Sequence, residues 1–290
     1  MYSTTITKLF FALCSLLCVT FAQATAAFST SFDGSEGYTN GSIDQTIQTG
    51  APNFNTTGYG IYLPGGQSPN FGEAKRDPNA NNVRAIYVNG AGSDFTAGDS
   101  WTTSLDFTFE GLQASAIGAD NFLTEFGFST SATAKENALS VALMKASGQN
   151  SNYRMYVSTQ GGSGYESTNL TFASLGDDEV DNDDLTDQLR FSLTLTKSAT
   201  TNDFDLIAGI YNLDADAANP IKTITKTLTH ANAYNSDLYG FFSSGAVKES
   251  GNFDLMNFQS FSYSAVPEPS TYALILGFGI MGLVILRRRS

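Results

Sequence analysis

Seven carboxylates fall within eleven residues: Asp177, Asp178, Glu179, Asp181, Asp183, Asp184 and Asp187. Oxygen donors at this density suit a hard cation such as Ca2+, and without salt or a cation their mutual repulsion is destabilising. The spacing is not that of an EF-hand, since no glycine and closing glutamate follow Asp181 and Asp183 at the required positions. A solvated acidic loop is the competing reading. A second, weaker cation candidate groups Asp203 and Asp205 with Asp214 and Asp216, although in NLDADAANP a turn capped by Asp is the ordinary meaning. Softer metals are poorly served: the chain has one histidine, His230, and its two cysteines, Cys14 and Cys18, both lie in an apolar N-terminal segment. A His-based relay would have to pass through His230, whose ordinary role is structural, at the end of a strand. The glycines of YLPGGQ and TQGGSG lack the spacing and the lysine of a phosphate loop. Glycoside hydrolysis needs only two carboxyl groups, about 5 Å apart for retention or about 6.5 to 9.5 Å for inversion. No such pair is recognisable in the sequence, and no catalytic residue is assigned.

Glycan binding needs an aromatic surface beside hydrogen-bonding groups. The tyrosines that could supply it are Tyr59 and Tyr62 in GYGIYLPGG, Tyr87, Tyr153, Tyr156, and Tyr165 in GGSGYES. Tyr165 is the preferred glycan contact, because a Gly/Ser loop does not require it to be buried. The others are expected to pack within sheets, and Trp101, which heads a strand, is expected in the core.

The two ends of the chain state a destination. Lys8 precedes an apolar stretch from Leu9 to Phe21, followed by Ala22-Gln23-Ala24 and Ala24-Thr25-Ala26, either of which offers signal peptidase its small residues. Residues 1–26 are therefore expected to be a cleaved signal peptide, with the mature chain starting near Thr25 or Ala27; a first membrane helix is the alternative. Both cysteines would leave with the leader, so no disulfide could form in the body. At the other end, Pro267, Glu268 and Pro269 precede an apolar run from Tyr272 to Leu286 and then Arg287, Arg288 and Arg289. Those fifteen apolar residues would span roughly 22 Å as a helix, short of a ~30 Å hydrocarbon core unless Ser270, Thr271 and snorkelling arginine stems extend it. The arginines favour a cytoplasmic C-terminus as membrane stop and anchor. A buried terminal helix is the alternative, disfavoured by the lack of a polar face.

From Val266 onward the tail resembles the PEP-CTERM sorting signal of Gram-negative bacteria that make extracellular polysaccharide. That resemblance implies export, retention at the inner membrane with the body on the periplasmic side, and recognition near Pro267, Glu268 and Pro269 by an exosortase-type membrane protease. Delivery to the cell surface or extracellular matrix would follow.

Between the ends, residues 27–263 are expected to form one domain, followed by a linker at 264–271 and the transmembrane helix and basic tail at 272–290. Setting aside Lys8, Glu268 and the terminal arginines leaves 27 acidic and 11 basic residues in 27–266, within a chain of net charge -13. No basic stripe is visible, which argues against nucleic acid. Trp101, Leu105, Phe107 and Phe109 alternate with Asp106 and Thr108, as a half-buried strand requires. Phe122, Thr124, Phe126 and Phe128 repeat the pattern. So do Leu139 to Leu143, Tyr153 to Val157, Leu189 to Leu195, Phe204 to Tyr211, Ile221 to Leu228, Leu238 to Phe242, and Phe253 to Tyr263. Turn-forming residues separate nearly all of these runs, and no stretch of the body holds a 3.6-residue apolar period over three turns. Strands with one apolar face need a second sheet to cover them, so the expected fold is an all-β, antiparallel two-sheet sandwich of the jelly-roll kind.

The strand order and the opening AFSTSFDGSEGYTNGSID resemble the concanavalin A-like lectin or glucanase jelly roll. In that resemblance Phe28 to Phe32 is an early strand, and Phe253 to Tyr263 a late strand returning beside it. The glucanases' Glu-x-Asp-x-x-Glu motif is not carried over, because Glu179-Val180-Asp181-Asn182-Asp183-Asp184 ends in the wrong residue. The expected function is that of an exported, non-enzymatic protein at the membrane, surface or matrix, with extracellular polysaccharide as candidate ligand. A secreted glycan-acting hydrolase with a hidden carboxylate pair is the alternative.

Overall fold

A computed structural model describes residues 26–32, 36, 41–43, 54–57, 61–63, 74–76, 83–110, 121–145, 152–162, 166–176, 185–244 and 255–266. Sixteen strands run through them. The short early ones are β1 (Ala26–Thr30), β2 (Gly41–Ser42), β3 (Phe54–Thr57), β4 (Ile61–Leu63), β5 (Ala74–Arg76) and β6 (Val83–Tyr87). Longer strands follow: β7 (Ser100–Glu110), β8 (Asn121–Ser129), β9 (Leu139–Lys145), β10 (Asn152–Thr159), β11 (Glu166–Thr171), β12 (Leu189–Lys197), β13 (Asp203–Asn212), β14 (Lys222–Thr229), β15 (Tyr239–Ser244) and β16 (Leu255–Val266). Among the described residues the α-helices are single turns, α1 (Leu213–Asp216) and α2 (Ala231–Tyr234).

Two sheets result. One has seven strands in the order β11-β10-β9-β8-β15-β6-β3, and the other has nine, β14-β13-β12-β7-β16-β5-β4-β2, with β1 also on β16. Alternation decides which side chains meet between them. Phe126 of the seven-stranded sheet stacks on Phe191 of the other, with centroids 5.1 Å apart and planes 10° apart. Phe54 meets Phe261 edge-on at 5.6 Å, and Phe242 lies 4.9 Å from Phe258. Aromatic pairs of this kind add to the burial of their large apolar areas. The body is the all-β, two-sheet antiparallel sandwich that the alternation predicted.

Trp101 is fully buried, its Nε1–H donating to the Ala91 carbonyl at 2.8 Å. Gly92, at φ 114°, lies so close that a Cβ there would enter the indole ring. Two details depart from simple alternation. A register irregularity between Phe122 and Thr124 places Leu123 in the core, so the face expected for Phe122 does not continue unbroken from Thr124. One extra residue in a strand shifts its inward set by one, which is what a bulge does. At the end of the body, β16 runs through Ser264 to Val266, the first residues of the expected linker, with Ser264 opposite Ala27 and Ala265 opposite Ala26.

Candidate functional site

The outer face of the seven-stranded sheet carries the side chains that the core does not use. In VRAIY and NYRMYVST the residues that alternate with the buried Val83, Ala85, Tyr153, Met155 and Val157 are Arg84, Arg154, Tyr156 and Ser158. Backbone pairing sets them in rows. Arg84 lies opposite Ser243, Ser243 opposite Glu125, Glu125 opposite Ala142, Ala142 opposite Tyr156, and Tyr156 opposite Ser167. At about 4.8 Å per strand, Arg84 and Tyr156 stand roughly 19 Å apart. Arg154 lies two residues from Tyr156 on β10, about 7 Å along the strand. Arg84, Arg154 and Tyr156 are all half-buried. Neither guanidinium has a hydrogen-bond or ion-pair partner among the described residues.

At mid-row, Glu125 is held on three sides. Lys135 Nζ donates to both of its carboxylate oxygens at 2.6 Å, and Ser140 Oγ donates to Oε1 at 2.6 Å. Lys135 comes from the segment joining β8 to β9, which crosses this face. That segment is fastened by Ser129 Oγ to the Ala134 carbonyl at 2.8 Å and by Asn55 Nδ2 to the Ala132 carbonyl at 2.7 Å. Beneath it Ile86, Ala138 and Phe241 form a small apolar cluster, with Lys135 Nζ 5.9 Å from the Phe241 ring centroid. Glu125 is the one carboxylate among the described outward-facing strand residues of this sheet, and it is already ion-paired. Two-carboxylate hydrolysis has no partner for it in that row.

The outer face of the nine-stranded sheet is different, because its polar groups satisfy one another. Arg190 holds Asp106 through two hydrogen bonds at 2.6 and 2.7 Å, and this bond raises the guanidinium pKa above its ordinary value. Thr102 meets Thr194 at 3.2 Å, Ser104 meets Ser262 at 2.7 Å, and Thr227 donates to Asp205 at 2.9 Å. A shallow open hollow lies by Asp205, Ile207, Thr225 and Thr227.

The residues singled out by sequence divide into those the structure describes and those it does not. Asp177, Asp178, Glu179, Asp181, Asp183, Asp184, Tyr165, Pro267, Glu268, Pro269, Arg287, Arg288 and Arg289 lie outside the described residues, as does the apolar run 272–286. Among the described residues no helix is long and apolar enough to cross a membrane, and no three metal-binding side chains converge. Asp187, which closes the acidic stretch, lies beside Leu175, which precedes it, with Asp187 N–H donating to the Leu175 carbonyl at 3.2 Å.

The second cation grouping is not assembled. Asp203 and Asp205 open β13, while Asp214 and Asp216 lie beyond its other end, some 30 Å away along an extended strand. Each of these carboxylates is occupied locally: Asp203 accepts from Thr229, Asp214 from the Gln188 N–H, and Asp216 from Ala218 and Asn219. The bonds from Asn219 and Ala218 hold the Asp216 pKa below the ordinary carboxylate value, as an Asp-capped turn does.

His230 is structural and buried. Its Nδ1 accepts from the Ala233 N–H at 3.3 Å, capping α2, and its Nε2 is 2.7 Å from the Gln160 carbonyl, which makes Nε2 the protonated nitrogen. Tyr87 and Tyr153 belong to the core. Arg84, Arg154, Glu125 and Lys135 were not singled out by sequence, though the polar alternates within strands were the signal that would have found the first three.

Comparison with known proteins bears on the tail and on the fold. Residues 265–289 match the PEP-CTERM protein-sorting motif, which therefore begins in the last two residues of the sandwich's last strand. No curated protein matches the chain. Among solved structures the chain is similar to winged bean acidic lectin complexed with methyl-α-D-galactose, at 10% identity and TM-score 0.47, covering 84% of this chain and 99% of that one. It is similar also to arcelin-5, a lectin-like defence protein from Phaseolus vulgaris, at 12% identity and TM-score 0.47, covering 85% and 100%. An endo-1,3-β-glucanase from Streptomyces sioyaensis is a third, at 11% identity and TM-score 0.45, covering 85% and 100%.

Proposed function

We propose that this chain is an exported protein, sorted through its PEP-CTERM tail, whose sandwich binds extracellular polysaccharide along the outer face of the seven-stranded sheet without hydrolysing it. The leader at 1–26 is removed by signal peptidase. The apolar run 272–286 holds the body on the periplasmic side until an exosortase-type protease acts near Pro267, Glu268 and Pro269. The pairing of Ala26 with Ala265 supports this route, since both connections to the body leave from one end of one pair of strands.

The observation that carries the binding reading is the row from Arg84 through Glu125 to Tyr156. A half-exposed aromatic flanked by hydroxyls and free guanidiniums can stack on a sugar ring and hydrogen-bond its substituents. Its length across five strands suits a polymer better than a single sugar. The ion pair on Glu125 supports binding over hydrolysis, because the one carboxylate among the described outward-facing strand residues of this sheet is not free. Tyr165 remains a second candidate contact.

Retention of the intact protein, in non-ionic detergent, on immobilised extracellular polysaccharide tests this. We expect retention of the wild type, with Tyr156→Ala weakened about fivefold, in keeping with the roughly 1 kcal/mol of an aromatic contact, and no reducing ends released. Passage of the wild-type protein without delay, or release of reducing ends, would overturn the reading.

A further inference from the structure

We infer that the polysaccharide taken by this face is acidic, bound through carboxylate groups that reach Arg84 and Arg154. This rests on the reading of the face as a glycan-binding surface and names the class of glycan. The chain carries a net charge of -13, yet on the described strands of this face the guanidiniums of Arg84 and Arg154 are balanced by no free carboxylate. The single acid of the row, Glu125, is neutralised by Lys135. Even counting the exposed Glu136 of the segment that carries Lys135, the described side chains of this face sum to a positive charge, opposite in sign to that of the molecule.

Two features give that local excess a purpose. A protein normally pairs the guanidiniums it half-buries, as it does with Arg190 and Asp106 on the opposite sheet. Arg84 and Arg154 have no described partner, and an arginine fork is matched in geometry to a carboxylate. The two also stand about 20 Å apart with Tyr156 beside one of them, so they address separated points on a chain crossing the strands rather than one small anion. Repulsion from the acidic body acts at longer range and is screened beyond about 8 Å at physiological ionic strength, leaving the contact residues to decide. Nucleic acid fits less well, since its affinity comes from many phosphate contacts and a broad basic surface.

The test compares polygalacturonate with a neutral β-1,3-glucan, using the intact protein in non-ionic detergent and affinity electrophoresis. We expect tighter binding to polygalacturonate that weakens with added NaCl. Arg84→Gln and Arg154→Gln should each weaken it about fivefold or more and together abolish the preference, with melting temperatures unchanged because neither side chain has a described partner. Glu125→Gln, which frees Lys135, should tighten polygalacturonate binding and leave the neutral glucan unaffected. Equal affinity for the two polymers, or a preference that survives both arginine substitutions, would overturn the acidic assignment while leaving glycan binding intact. Binding to neither polymer, nor to the extracted extracellular polysaccharide, would overturn the underlying reading as well.

Discussion

Lys197 ends β12 almost wholly buried, with its ammonium donating to the Phe95 carbonyl at 2.6 Å and lying 4.3 Å from the Tyr234 ring centroid. Burial pushes its pKa below the usual lysine value, against the opposing pull of Asp99 and Asp94. Below that lowered value the folded and unfolded chains both hold this proton, so the desolvation cost is fully felt. As pH rises through the lowered value, the folded chain gives up the proton first, and stability contributed by this group increases until the unfolded lysine also titrates near pH ~10.4. Tyr263 acts in the opposite sense at still higher pH, because burial raises its phenol above the ordinary value and the unfolded chain ionises first. Urea melts of the wild type and Lys197→Met at pH 7.5 and 9.5 separate the two: the variant should lose the alkaline gain in stability. An identical pH dependence in both proteins would contradict this. Residue chemistry of this kind was only partly legible beforehand. His230 was expected near a strand end in a structural role and has one, but its capping bond depends on α2, a single turn too short to leave a periodic signal. Arg84 and Arg154 were overlooked because nothing in their immediate neighbours distinguishes a cation paired across a sheet from one left free.

Strands long enough to alternate were legible, and the short ones were not. The runs around Trp101, Leu139, Tyr153, Leu189 and Phe204 match β7, β9, β10, β12 and β13 closely, since each buries every second side chain in a shared core. The strands β2 to β5 have two to four residues each, too few to display a period of two. The return of the last strand beside the first was expected from the resemblance to the concanavalin A-like jelly roll, and β1 does pair antiparallel with β16 from Ala26–Ala265 to Thr30–Phe261. A two-strand contact at the rim of a sheet depends on its side chains. Phe28 stacks on Tyr87 at 4.5 Å and 16°, and meets Phe54 edge-on at 5.7 Å, tying β1 across to the opposite sheet. Phe28→Ala should therefore cost about 2 to 3 kcal/mol in urea unfolding, less than a fully buried phenylalanine because Phe28 is half-exposed. A loss below about 0.5 kcal/mol would mean that β1 contributes little to the fold.

At the scale of the whole molecule, the sorting motif and the proposed binding face belong to different parts of the chain. The tail was the most legible segment of the sequence, because order and spacing alone identify a sorting motif, and residues 265–289 match one. The proposed binding face was the least legible, because it exists only once β6, β15, β8, β9 and β10 lie side by side. The fold joins the two economically: Tyr263 in the last strand donates to the Leu238 carbonyl at 2.7 Å and accepts from the Ala91 N–H at 3.1 Å, so the strand leading to the motif is locked into the body. Removal of everything after Val266 would leave those bonds in place. Intact-mass spectrometry of the protein recovered with the extracellular polysaccharide of the producing cells tests delivery and binding together. The account predicts a species there that begins at Thr25 or Ala27 and ends within 266–269. Recovery of only the full chain with its leader and tail, or absence of the protein from the polysaccharide fraction, would contradict it.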